Sequence, residues 1–163
     1  MANDDPLLPP KILLRFLSDM QETLVPQSVY SNIRNTTTVD EQVSDHSPER
    51  RLIYRLHSSF IPALSDAARV ILEHVVQIMA DLSAFESSTK MSPLALAIVV
   101  VPTLIHGDDP VEDAEMCLSP GKSLPPGLRK AHEGEDDDAG KGGTLGGVLK
   151  LWIEELAGSG KSG

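Results

Sequence analysis

The step Gly160-Lys161-Ser162 offers phosphate chemistry, because in nucleotide-binding loops such a turn sets backbone amides, an ammonium and a hydroxyl around phosphoryl oxygens. That loop also needs a glycine where Glu155 stands, a strand before it and a helix after it, so the "GSGKSG" tail reads as a flexible terminus. Metal chemistry would need close donors. His46, His57, His74, His106 and His132 are scattered, with no pair at the short helical spacing that holds zinc, and no metal site is expected. His74 falls on or beside an apolar stripe and reads as a hydrogen-bonded core histidine. Cys117 has no recognisable base or orienting group, so a nucleophile is not expected there. Asp136, Asp137 and Asp138 with Glu133 and Glu135 read as a solvated acidic linker. No enzyme constellation emerges, and the sequence assigns no catalytic residue and no cofactor.

Charge bounds the partners. The formal net charge is −10, with no offsetting block of Lys and Arg, which argues against nucleic acid or an acidic membrane surface and favours a basic patch on a protein. The longest apolar run, Leu94 to Ile105, is about twelve residues where a bilayer span needs roughly twenty, so no direct membrane insertion is expected. The opening "MANDDPLLPP" is acidic and proline-rich, unlike a signal peptide, and a single cysteine excludes an internal disulfide. An intracellular, cytoplasmic protein is expected.

The elements that would position any site are helical. After Pro9 and Pro10, Leu13, Leu14, Leu17 and Met20 share one face, with Phe16 beside them. A short helix over residues 27–34 would turn Val29, Tyr30 and Ile33 inward, and "NTTTVDEQVSDHS" reads as a polar loop. Ser47-Pro48-Glu49 is a helix start with Leu52, Ile53, Leu56 and Phe60 as its apolar face. Pro62 breaks that element and Ser65-Asp66 caps the next, whose stripe reads Val70, Ile71, His74, Val75, Ile78, Met79 and Leu82. Ser92-Pro93 starts a buried helix expected to stop near Val101, because Pro102 disfavours helical geometry just before itself. The β-branched run Ile98 to Val101 keeps a buried strand as the rival. Leu145, Val148, Leu149, Trp152, Ile153 and Leu156 mark a closing helix. The fold class is all-α. Its expected organisation is a tail over 1–10, a helical core over 11–107, a flexible acidic Gly/Pro-rich insertion over 108–143, a terminal helix over 144–157 and a tail over 158–163.

Four segments carry a family resemblance. "STKMSPLALAIVVVPTLI" resembles the signature region of the Rho GTPase-activating protein (RhoGAP) domain, where Asn-Lys-Met leads into an Asn-Leu-Ala helix ending in Pro-x-Leu. "ILLRFLSDMQETLVPQSVY" and "IPALSDAARVILEHVVQIM" resemble the family's preceding helices, in the same order, and "GVLKLWIEEL" its closing helix. Lys90, Met91, Leu96, Ala97, Pro102 and Leu104 match. Thr89 and Ala95 stand where the family has asparagines, and "MQETL" replaces its Leu-Pro-x-Pro-Leu turn.

The resemblance implies an all-helical domain that binds the switch regions of Rho- and Rac-type GTPases and inserts an arginine finger, which counters charge on the transferring phosphoryl group. In the family the finger precedes the region matched here, so the chain is expected to be the C-terminal part of the domain and to bind without stimulating hydrolysis. Thr89 and Lys90 would lie near the switch-binding surface, with Met91, Leu96 and Ala97 packing the core. Apolar faces left uncovered by the absent half imply poor solubility or self-association. The rival function is a helical scaffold or adaptor without a GTPase-activating role.

Overall fold

The computed structural model describes residues 8–37, 48–120, 122, 124–125 and 143–159. Among them every regular element is helical. Helix α1 (Leu8–Ser18) buries Leu17 and leans Leu13 and Leu14 on the core, while Phe16 faces solvent. A 3-10 turn (Gln27–Val29) feeds α2 (Tyr30–Thr37), with Val29, Tyr30 and Ile33 buried as their spacing predicts. This helix outruns the expected end at Arg34. Thr36 is fully buried and its hydroxyl donates to the Asn32 carbonyl at 2.7 Å, which satisfies it inside the helix. The remainder of the expected polar loop, 38–47, lies outside the described residues.

Helix α3 (Pro48–Arg55) continues through a π turn (Leu56–Phe60) and a 3-10 turn (Ile61–Ala63) at Pro62. The wide turn has a clear external support, because Asn32 Nδ2 donates to the Ser59 carbonyl at 3.2 Å. Phe60 then meets Trp152 edge to face, centroids 6.4 Å apart and planes at 83°.

Ser65 caps α4 (Asp66–Ser83), its Oγ accepting from Ala68 N at 3.2 Å. The buried face corrects the predicted stripe. Ala68, Leu72, Val75, Val76, Met79 and Ala80 are buried, whereas Val70, His74, Ile78 and Leu82 are exposed. Apolar residues run round more of this helix than the core covers, so periodicity alone settled on the wrong centre. His74 is accordingly no core histidine; its Nδ1 pairs with the Val70 carbonyl of its own helix at 2.7 Å.

After a one-turn helix α5 (Glu86–Thr89), Ser92 Oγ accepts from Ala95 N at 3.2 Å and α6 (Pro93–Leu104) begins at Pro93 as expected. It does not stop at Val101. Pro102 sits inside it, ring to solvent, at a site where proline costs about 3 kcal/mol. Burial of Val101, Leu104 and Ile105 opposes that cost, at about 1.5–3 kcal/mol for each fully buried side chain, and the Leu104 carbonyl accepts from Val25 N at 3.0 Å. Tertiary packing overrides the local signal.

Within the expected insertion over 108–143, α7 (Pro110–Met116) is capped by Asp109 and buries Met116, while residues 121, 123 and 126–142 lie outside the described residues. Thr144 Oγ1 accepts from Gly147 N at 3.1 Å at the start of α8 (Leu145–Ser159). Helix α8 is the centre of the assembly. It packs most extensively on α6 and α4 and also touches α2 and α3, burying Leu145, Val148, Leu149, Trp152 and Ile153.

Candidate functional site

The turn between α4 and α6 presents the two residues singled out from the sequence. Helix α4 ends with Ala84 N donating to the Asp81 carbonyl, and α5 then gathers on one acceptor: the Phe85 carbonyl receives Ser88 N and Ser88 Oγ at 3.0 Å, Thr89 N at 2.9 Å and Thr89 Oγ1 at 3.0 Å. Thr89 Oγ1 in turn accepts from Met91 N at 3.2 Å. Its hydroxyl thus ties the turn together from inside. An asparagine amide would have offered donors to a partner; this threonine faces its own backbone, although the residue is exposed.

Lys90 closes α5 in the left-handed region, φ 60°, the only non-glycine residue with positive φ among those described. Its N–H donates to the Glu86 carbonyl at 2.8 Å, and its Nζ reaches back to the Ser87 carbonyl at 3.0 Å. That geometry displays an ammonium with further donors at the surface, suited to a carboxylate or a carbonyl of a docking protein. Behind it Met91 packs on the core, and Leu96 and Ala97 are buried, as the resemblance implies for these three residues. The backbone strain at Lys90 had no signal in the sequence beyond the position itself, since glycine is the usual residue there.

A second polar cluster escaped sequence reasoning because its members lie far apart in the chain. Tyr30 is buried and its hydroxyl donates to Asp113 Oδ1 on α7; Asp113 Oδ2 accepts from Gly107 N at 2.8 Å. Gln27 Nε2 donates to Glu112 Oε2 at 2.6 Å, and Arg34 stands 3.7 Å and 3.6 Å from Glu112 and Glu115. Burial, then the adjacent Asp113, pushes the Tyr30 phenol well above its ordinary range. Burial and the same carboxylate raise the Cys117 thiol, which favours its protonated, less nucleophilic form.

The arginines with described contacts serve the fold. Arg15 pairs with Asp19 at 2.6 Å, Arg69 with Asp66 at 3.0 Å, and Arg55 donates to the Asn35 carbonyl at 3.1 Å. His57 sits 2.9 Å from Glu155. Among the described residues no three His, Cys, Asp or Glu side chains gather as metal ligands, and no helix is long and apolar enough to cross a membrane. The histidines at 46 and 132, the acidic run 133–138, Arg129 and the tail's Gly160-Lys161-Ser162 lie outside the described residues.

A protein-family model covers the stretch that holds the first three resembling segments and stops before "GVLKLWIEEL". The model described as "RhoGAP domain" matches residues 2–109, which takes in α1 through α6 and the Thr89–Lys90 turn. Neither a curated protein nor a solved structure matches the chain. A match over about two-thirds of a chain that is all-helical among its described residues makes it a member of the RhoGAP domain family.

Proposed function

We propose that this domain docks on Rho- or Rac-type GTPases in the cytoplasm through the α4–α6 turn, with Thr89 and Lys90 at the contact, and that it binds without contributing an arginine finger of its own. RhoGAP domains regulate Rho-family GTPases, and the family match that spans this turn is the observation that carries the proposal. Lys90 is the favoured contact because its exposed ammonium sits on a turn whose backbone is fixed by the Thr89 hydroxyl and by the Lys90 N–H bond to the Glu86 carbonyl. Thr89 contributes by setting that backbone. The finger-less reading is supported by Arg15, Arg34, Arg55 and Arg69, each tied to a carboxylate or a carbonyl within the fold. The test is binding to a panel of Rho-family GTPases carrying GDP, a GTP analogue, or GDP with a γ-phosphate mimic, run beside single-turnover hydrolysis. Binding selective for the GTP-like states without acceleration supports the reading. Acceleration near the ~10³ to 10⁵ scale of an arginine finger would refute its finger-less part. State-independent binding or none would favour a scaffold.

A further inference from the structure

Helix α4 carries more apolar surface than the core uses. Beside its buried arc runs a second row, Ala67, Ile71, His74, Ile78, Leu82 and Phe85, at the four-and-three spacing of one helical face continued into the turn. Ile78, Leu82 and Phe85 are 46%, 44% and 63% exposed, and Val70 lies alongside at 49%. An ordinary surface helix presents charge on this side.

The row has a charged border of one dominant sign. Asp66, Glu73 and Asp81 follow the next row of α4, and Glu86 stands at its end; the positive charges on the same segment are Arg69, which is paired with Asp66, and Lys90. Gln77 Nε2 holds the Asp81 carboxylate at 3.0 Å, fixing one acceptor on that border. A second copy of this chain would bring acidic border against acidic border, on top of a net charge of −10 each. A segment with apolar residues on one side and Lys or Arg beside them would instead cover the row and neutralise the border. From these features we infer that the outer face of α4 is a docking site for a basic amphipathic helix of a partner protein. This face adjoins the Lys90 contact at Phe85, but its occupant is recognised by positive charge and its test rests on residues 73–82 without a GTPase, so the two readings fail independently.

The test uses the full chain and a fluorescein-labelled helical peptide of the length of α4, built from Leu on one face and Lys on the other, followed by anisotropy at increasing salt. Binding weakened more than about tenfold by Ile78→Glu with Leu82→Glu is the expected result. Glu73→Lys with Asp81→Lys should weaken it about tenfold and flatten its salt dependence. The matched reversal of exposed acids elsewhere, Glu22→Lys with Glu154→Lys, should leave it within about twofold. The near-UV signal of the buried Trp152 reports that each variant is folded. The inference is overturned if the control reversal costs as much as the α4 reversal, if the α4 variants bind like the parent, if a Leu/Glu peptide binds equally well, or if the peptide does not bind. Sedimentation showing self-association that Ile78→Glu with Leu82→Glu abolishes would overturn it in favour of a second copy.

Discussion

Replacing Lys90 by glycine should make the protein more stable while weakening its proposed partner contact. A non-glycine residue in the left-handed region costs about 1–2 kcal/mol, and Lys90 holds φ 60°. Glycine removes that cost but adds backbone freedom to the unfolded chain, worth about 0.5–1 kcal/mol. The Nζ bond to Ser87 is exposed and contributes at most about 0.5 kcal/mol. The balance is a gain of about 0.5 kcal/mol, which for a chain of this size raises Tm by about 1–2 °C. Lys90→Ala loses the same ammonium but keeps a Cβ in the strained geometry, so it should sit at or slightly below the parent. The difference between the two variants isolates the backbone term. Urea and thermal melts read by the fluorescence of the single Trp152 measure it. A glycine variant no more stable than the alanine variant would refute the strain argument. GTPase binding should fall equally in both and be retained by Lys90→Arg; a loss in the arginine variant as well would remove charge as the reason for the contact.

Alkaline pH should destabilise the fold through Tyr30. Its folded pKa lies above the unfolded value near 10, so its contribution is fully present below pH 10 and is lost as pH rises beyond it; Tyr30→Phe should flatten that decline in a pH series of urea melts and cost about 1–3 kcal/mol at neutral pH. Gly107→Ala should loosen α7, because a Cβ there would come within 2.6 Å of Asp113 Oδ1 and push aside a carboxylate bonded to Tyr30 and to Gly107 N; hydrogen exchange over 110–116 should quicken, and unchanged protection would refute the contact. Cys117 should react with iodoacetamide at neutral pH more slowly in the native protein than in urea, and Asp113→Asn should speed the native reaction.

Much of this fold was legible where a local signal and burial agree. Ser65 and Ser92 announce α4 and α6 because a cap hydroxyl acts within three residues, and Leu145 through Ile153 show the face that α8 does bury. The signals failed where distant contacts decide. Pro102 argued for an end to α6 that the buried Leu104 and its bond to Val25 overrule. The stripe on α4 was misplaced because two adjacent rows are apolar and only packing distinguishes them. Helix α7 was hidden in an acidic stretch, since the residue that orders it, Tyr30, lies 83 positions away. At the candidate site, the signature segment pointed to Thr89 and Lys90, but which of the two displays a group and which braces the turn depends on hydrogen bonds that no spacing encodes.

The central place of α8 bears on how the molecule is made. Helices α2, α3, α4 and α6 all rest on residues 145–159, so during synthesis the earlier helices leave the ribosome with their shared wall absent. Their apolar faces stay open until the last helix is translated, an interval in which a chaperone has most to hold and aggregation most to gain. Residues inserted between α7 and α8 should cost the finished fold little, since doubling the length of a connection costs only about 0.6 kcal/mol, and should delay the moment at which the core can close.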